Sequence, residues 1–287
     1  MDISVAYAPK LLPSGEPFLP EERSCPGCGQ ALAVRLIGKA IGHHNRFPYG
    51  AAVPAASISS MPQFTWRIFP PRRVSKKRMT SPENIRIIAT DAGVMPDMMP
   101  LLQAARRRGS PLVVVCCFNE AGIQRHPSHL KTQQPDVILP WEKRIASIQA
   151  ILQTVQDMHL AFMATATAAH PFDLITKVGT ALEMRTAAFL GILTACPTGC
   201  RYPAAHARQA LHRAVNSGYF PLFTAVNGIV TMQSLTQKRI PVDAYIRMHH
   251  AFLYAEHDEI AALQRRIDEY LDRLTQRTAK TTMQPRQ

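Results

Sequence analysis

The sequence has no uninterrupted apolar run of the roughly 18 residues that a membrane-spanning helix needs. Its first ten residues, MDISVAYAPK, lack a basic segment followed by an apolar one, so we expect no secretory signal and a cytoplasmic location. Acidic residues are few, 20 Asp and Glu against 33 Lys and Arg in 287 residues, which gives a net charge of +13. A hydrophobic content of 46% excludes a disordered chain and predicts a substantial core.

Aromatic residues are also scarce, at 7%, and none is interleaved with the chain's basic cluster. That cluster comprises Arg72, Arg73, Lys76, Lys77 and Arg78. We find no nucleic-acid-binding motif. The positive charge indicates either an acidic protein partner or a solvated basic loop, and the sequence leaves both open.

Six cysteines occur as three close pairs: Cys25 and Cys28, Cys116 and Cys117, Cys196 and Cys200. The first pair lies in the turn CPGCG and the last in CPTGC. We expect no secretory signal in this long chain, and paired cysteines near Gly and Pro then favour metal ligation or redox chemistry over structural disulfides. In such turns Gly leaves backbone amides available to the sulfurs, as in both zinc and iron–sulfur sites. The middle pair lies in the apolar run PLVVVCCF and is predicted to be buried in a strand.

From Asn84 onward strand and helix patterns alternate, which predicts an α/β fold with a largely parallel sheet and helices on both faces. The predicted strands are Ile85–Ala89, Pro111–Phe118, Leu160–Thr165, Ala187–Ala195 and Leu222–Val226. The predicted helices cover residues 30–41, 97–108, 141–158, 171–185, 204–217 and 257–275. We expect at most a strand or two in the Pro-rich residues 43–84.

The chain divides by pattern into an extended arm (1–24), an α/β domain (25–255) and a C-terminal helix with a frayed tail (256–287). The helix carries one apolar stripe, which indicates internal packing or a subunit contact.

Asp91 and Asn119 follow two successive predicted strands. Oxygen-bearing side chains at the ends of adjacent parallel strands can hold one hard cation, which can in turn bind a diphosphate. The helix predicted to begin at Asp97 directs its positive end to the same edge. Asp and Asn are also ordinary turn residues after strands, so the pattern alone leaves both interpretations open.

Several motifs in this order resemble the β subunit of 2-oxoacid:ferredoxin oxidoreductases of the pyruvate:ferredoxin type. They are CPGCG before a helix, Asp-x-Gly, Asn-Glu-Ala, CPTG, GYFPLF and Asn-Gly. The resemblance covers roughly residues 16–42 and 85–275. It is strongest in HARQALHRAVNSGYFPLFTAVNG and in the segment that begins RIPVDAYIRMHH.

The resemblance implies a thiamine-diphosphate-binding fold, with thiamine diphosphate held through Mg²⁺. The family's Gly-Asp-Gly-Gly corresponds to residues 90–93, which places Ala92 and Gly93 at the cofactor. Asp91, Asn119 and the carbonyl of Ala121 correspond to the magnesium ligands.

A 4Fe-4S cluster close to the thiamine is implied as well. Cys25, Cys28 and Cys196 match three of its ligands, and Gly27 lies in the turn between the first two.

The implied reaction is oxidative decarboxylation of a 2-oxo acid such as pyruvate to an acyl-CoA, with electrons passed to the cluster. The implied partners are an α/γ-type subunit, ferredoxin or another acidic electron acceptor, the 2-oxo acid and coenzyme A. The glutamate that activates the thiamine comes from the partner subunit in such enzymes.

Parts of the family pattern are absent. Residues 43–84 contain no cysteine to match the family's third cluster ligand, and no Asn-Thr-Gly follows Asn-Glu-Ala. Thr90 and Ala92 add Cβ atoms where the family has glycine. Cys200 replaces the Trp of CPTGWRY, and it is either the fourth cluster thiolate or a buried or free thiol.

Two further hypotheses therefore accompany the enzyme subunit. One is a catalytically weak or inert subunit that keeps the fold and its interface. The other is an α/β binding protein stapled by zinc at the two outer cysteine pairs.

The histidines are scattered. His126 and His129 face a diphosphate or lie in a solvated loop, and no histidine of the adjacent pairs at 43–44 and 249–250 is assigned a catalytic role.

Overall fold

The computed structural model describes residue 12 and residues 25–45, 63–68, 85–122, 141–233 and 239–282. Seven strands in these ranges form one sheet: β1 (Gln63–Ile68), β2 (Ile85–Asp91), β3 (Leu112–Asn119), β4 (Phe162–Thr167), β5 (Ala188–Thr194), β6 (Phe223–Val226) and β7 (Ile229–Met232). The α-helices are α1 (Gly29–Asn45), α2 (Met95–Arg108), α3 (Trp141–Asp157), α4 (Pro171–Glu183), α5 (Pro197–Cys200), α6 (Ala207–Asn216), α7 (Asp243–Ile246) and α8 (His257–Thr282).

The sheet has the strand order β1-β2-β3-β5-β4-β6-β7. Its four central strands, β2, β3, β5 and β4, are parallel, whereas β1, β6 and β7 pair antiparallel at the two sides. The predicted α/β fold with a largely parallel sheet is confirmed.

The central strands are almost wholly apolar because parallel strands are covered on both faces. Every residue of β5 is buried, and in β3 only the last residue, Asn119, is partly exposed. Cys116 and Cys117 lie buried in β3, as predicted. Burial, followed by the negative charges of Asp91 and Cys28, raises the pKa of Cys117 to about 12, so this thiol stays protonated.

Helices cover both faces of the sheet. The connections β2–α2–β3 and β3–α3–β4 advance across the sheet, whereas β4–α4–β5 steps back by one position. Since such crossovers are right-handed, α2 and α3 lie on one face and α4 on the other. Helix α1 packs against α4.

Several predicted boundaries are wrong by a few residues. Strand β2 continues to Asp91, because Thr90 and Asp91 pair with β3 although they are polar. Helix α2 begins at Met95 rather than Asp97, since Pro96 fits the first turn. The predicted helix over 204–217 is a 3₁₀ turn at Ala204–His206 followed by α6.

The sequence patterns missed β7, which has a single buried residue and so little hydrophobic signal. Strand β1 lies within the Pro-rich segment, where a strand or two was expected. The division into arm, domain and C-terminal helix stays a prediction.

The apolar stripe of α8 packs into the core of its own chain. Its buried members are Ile260, Leu263, Ile267, Tyr270 and Leu274. Of the two interpretations left open by the sequence, internal packing is the one found. In the described part of the chain, the helices are all too short or too polar to cross a lipid bilayer.

A buried lysine ties α4 to the sheet. The Lys177 ammonium donates to the carbonyl of Thr165 in β4 at 2.8 Å, to Asp173 Oδ2 at 2.9 Å and to Gln233 Oε1 at 2.9 Å. Burial lowers the pKa of Lys177, and the neighbouring Asp173 carboxylate raises it in turn. Such a group stabilises the fold only while its partners remain.

Replacing Lys177 by Met is expected to lower the free energy of unfolding by about 3 kcal/mol, because it leaves the Asp173 carboxylate buried without its cation. The matched control is Arg247→Met, which breaks an i,i+4 pair with Asp243 whose side chains are 45% and 44% exposed. That loss should stay below about 1 kcal/mol. Urea unfolding of both variants measures the difference, and equal losses would contradict the assignment.

Candidate functional site

The CPGCG turn is seated on the carboxyl end of β5. The amide of Gly29 donates to the carbonyl of Ala195 at 2.9 Å, and that of Cys28 to the carbonyl of Cys25 at 3.0 Å. A Cβ on Gly29 would lie 2.3 Å from the nitrogen of Ala195. A Cβ on Gly27, whose φ is +73°, would lie 2.7 Å from Ala204 Cβ. Both glycines are therefore required for the close approach of the turn to the strand end.

This docking brings the two outer cysteine pairs together across 168 positions of sequence. Cys196 follows β5 directly, and the charge of Cys28 acts on it. Cys25 is exposed, whereas Cys28 and Cys196 are each partly exposed. That these three thiols hold one cluster, as the resemblance implies, stays a prediction.

The sulfur of Cys196 receives hydrogen bonds from two directions. Burial raises the pKa of its thiol, and hydrogen bonds from the backbone of Gly199 and from the side chain of Asn119 lower it. Donors aimed at a sulfur stabilise the thiolate, which is the form that binds metal ions. The predicted cluster ligand and the predicted magnesium ligand are thus in contact.

Asp91 and Asn119 end neighbouring parallel strands, and each side chain closes its own turn. Oδ1 of Asp91 accepts from the amides of Gly93 at 2.8 Å and Val94 at 3.1 Å. Oδ1 of Asn119 accepts from the amide of Ala121 at 2.9 Å. The turn interpretation of these residues is therefore realised, and the amides just before α2 bind Asp91.

Glu120 lies buried at the same edge, directly after β3. Its Oε2 accepts from the amide of Cys196 at 3.1 Å and from the hydroxyl of Tyr202. Its Oε1 lies 3.1 Å from Nε2 of His249. The pKa of the Tyr202 phenol is raised, first by burial and then by the charge of Glu120. The hydroxyl hydrogen between the two side chains therefore stays on the tyrosine.

Cys200 faces this network. A ligand atom from each of Cys200, Glu120 and His249 lies within 4.8 Å of the other two, and all three residues are buried. Burial raises the pKa of the Cys200 thiol, the Glu120 charge raises it further, and Arg144 acts in the opposite direction. The Arg144 guanidinium donates to the carbonyl of Glu120 at 3.0 Å and lies over the ring of Phe252.

The sequence did not single out His249, Tyr202 or Arg144. His249 is separated from Glu120 by 129 positions, and the sequence assigns no catalytic role to the adjacent pair at 249–250. The two histidines differ in the structure, because His249 is buried and His250 is exposed. His126, His129, the basic cluster at 72–78 and the side chains of His43 and His44 lie outside the described residues.

Known proteins resemble this chain over nearly its whole length, although no family model matches it. Pyruvate synthase subunit PorB of Methanocaldococcus jannaschii is 25% identical, with 90% of this chain and 96% of the relative covered. Ketoisovalerate oxidoreductase subunit VorB of Pyrococcus furiosus is 26% identical, with 92% and 94% covered. By these relatives, the chain is similar to β subunits of 2-oxoacid:ferredoxin oxidoreductases. The predicted resemblance is confirmed.

Among solved structures, the 2-oxoglutarate:ferredoxin oxidoreductase from Magnetococcus marinus is 11% identical, with 90% of this chain and 97% of that chain covered and a TM-score of 0.39.

Replacing Gly29 by Ala is expected to undock the CPGCG turn, because the new Cβ would overlap the backbone of Ala195. We expect a loss of about 2 to 4 kcal/mol in the free energy of unfolding, together with faster alkylation of Cys28 and Cys196. Gly109→Ala is the control, because a Cβ at this position meets no atom within 4 Å. Its only cost is the strain of an alanine backbone held at a φ of +61°. That strain costs about 1 to 2 kcal/mol and should leave alkylation unchanged. Unchanged alkylation in Gly29→Ala would contradict the docking.

Proposed function

We propose that this chain is the β-type subunit of a 2-oxoacid:ferredoxin oxidoreductase-like complex. In it, a 2-oxo acid such as pyruvate is oxidatively decarboxylated to an acyl-CoA with the help of thiamine diphosphate. The electrons pass to a 4Fe-4S cluster and on to ferredoxin or another acidic acceptor. The relatives support the family, and the observation that carries the chemistry is the docking of CPGCG against Cys196 at the carboxyl edge of a parallel sheet.

The residues present fit a cluster. Cys25, Cys28 and Cys196 are the proposed ligands, and the glycines of the turn let backbone amides approach the sulfurs. Asn119 and Gly199 already donate to Cys196, and such bonds tune the reduction potential of bound iron. When bound, the cluster would take electrons one at a time. The prediction that Cys200 is the fourth thiolate competes with its place beside Glu120.

The magnesium ligands are Asp91, Asn119 and the carbonyl of Ala121 in this proposal. A carboxylate offers about four lone-pair sites, so Asp91 can keep the two amide bonds of its turn and still bind an ion. The Oδ1 atom of Asn119 accepts one hydrogen bond, from the amide of Ala121, and has a second lone pair. Ala92 and Gly93 form the turn that would face the diphosphate.

A partner subunit completes the proposed site. An α/γ-type subunit would supply the glutamate that activates thiamine and part of the pocket for the 2-oxo acid and coenzyme A. The net charge of +13 suits an acidic electron acceptor by electrostatic steering.

The second candidate is a weak or inert subunit that retains the fold. The turn of Asp91 favours it, because this carboxylate occupies the amides of Gly93 and Val94 that would otherwise be available to a diphosphate. The absence of Asn-Thr-Gly and of a cysteine in residues 43–84 agrees with it.

The zinc-stapled alternative finds little support. Zn–S bonds of about 2.3 Å in a tetrahedron place the sulfurs about 3.8 Å apart. No three of the outer cysteines, all of which the structure describes, have sulfurs within 4.8 Å of one another.

Anaerobic purification of the full chain together with its partner subunit tests the proposal. We expect about four iron, four sulfide and one thiamine diphosphate per chain. Cys28→Ser should lose the iron and retain the thiamine diphosphate, whereas Asp91→Asn should do the reverse. Protein that holds neither iron nor thiamine diphosphate when reconstituted with its partner would overturn the enzyme and favour the inert subunit, whether or not zinc is present.

A further inference from the structure

Glu120, Cys200 and His249 bring three different metal-binding atoms together behind the cysteine turns. A carboxylate oxygen, a thiol sulfur and a ring nitrogen lie within 4.8 Å of one another. No other three His, Cys, Asp or Glu converge this closely within the ranges that the structure describes. We propose that these three side chains bind one zinc-class divalent cation, at a site distinct from both the cluster and the magnesium.

The ligand set suits zinc. Zinc binds Cys sulfur at about 2.3 Å and His nitrogen or carboxylate oxygen at about 2.0 to 2.2 Å, in a tetrahedron. Nε2 of His249 and Oε1 of Glu120 are 3.1 Å apart. Two such ligands subtend about 100° at an ion bound to both, which is close to the tetrahedral angle. Hard cations such as Mg²⁺ prefer oxygen alone, so sulfur and nitrogen exclude them.

Neighbouring groups already orient the carboxylate. Tyr202 and the amide of Cys196 both bind Oε2 of Glu120, which directs Oε1 towards His249. Second-shell bonds of this kind hold a carboxylate ligand in its binding orientation. The site therefore needs only a small contraction around the ion.

Binding exchanges one proton for the dication. The H⁺ of the Cys200 thiol leaves, and the ring hydrogen of His249 lies on Nδ1, so that Nε2 can bind the ion. The thiolate and the Glu120 carboxylate neutralise the ion, and the site as a whole gains one positive charge. Arg144 remains the nearby cation, held by the carbonyl of Glu120 and by the ring of Phe252. There it can donate to the sulfur, and it stabilises the thiolate form of Cys200.

A tetrahedral ion needs a fourth ligand besides these three side chains. Tyr245 lies next to His249, and its hydroxyl can support a water in that place. The hydroxyl of Tyr245 is fully buried and has no hydrogen-bond partner among the described residues. Its ring packs edge-on against His249, with centroids 4.9 Å apart. Three protein ligands with a water in fourth place is the usual pattern of an open zinc site.

Cobalt titration of the full-length, metal-free chain tests the site, because tetrahedral Co²⁺ gives a thiolate-to-metal charge-transfer band. The chain carries Cys25→Ser and Cys28→Ser, so the CPGCG turn supplies no thiolates and failure of the cluster proposal does not affect the result. We expect one Co²⁺ per chain, displaced by Zn²⁺. Cys200→Ser should abolish the band, and His249→Ala and Glu120→Gln should each weaken binding at least about tenfold.

His250→Ala is the matched control, since this exposed neighbour should leave binding unchanged. Zn²⁺ should also raise the melting temperature of the Cys25→Ser, Cys28→Ser chain but not of the same chain with Cys200→Ser, which keeps the test valid if a ligand variant folds poorly. Absence of Co²⁺ binding, or a band that survives Cys200→Ser, would overturn the proposal.

Discussion

A buried carboxylate organises the carboxyl edge of this sheet. A charged side chain removed from water costs several kcal/mol unless donors surround it. Glu120 meets that requirement with groups from two distant segments: Cys196 and Tyr202 on either side of α5, and His249 ahead of the C-terminal helix. Each segment is fixed by the need to satisfy the same group, and the CPTG turn therefore has a defined position before any cofactor binds.

Cys196 lies where two chemical environments meet. On one side is the CPGCG turn, with thiols open towards solvent, and on the other is the buried network of Glu120. The backbone amide of Cys196 belongs to the network, whereas its sulfur accepts from Asn119 and Gly199. A change in the protonation or ligation of the network can therefore reach the proposed cluster through one residue.

Local patterns predicted the central sheet because buried parallel strands are apolar runs that need no partner to be recognised, as β3 shows. Local patterns did not predict that CPGCG and Cys196 share one site, which only the resemblance to the family implied. They failed where the signal was not local. β7 has a single buried residue, and His249 acquires its surroundings only when the chain returns after 129 positions. The adjacent His250 has the same side chain and remains exposed.

The resemblance and the structure differ most at Cys200. An indole at this position, as in the family's CPTGWRY, can fill the space beside a buried glutamate but cannot bind a cation through its ring nitrogen, which is only a donor. A thiol is smaller and can ionise, and it stands here beside a histidine whose ring nitrogen is another of the proposed ligand atoms. The departure from the family pattern and the convergence of three ligand atoms therefore fall on the same residue. If Cys at position 200 only reduced the packing of the core relative to Trp, no histidine would be needed beside it. The closeness of Cys200 to His249 therefore favours a bound ion over simple core packing.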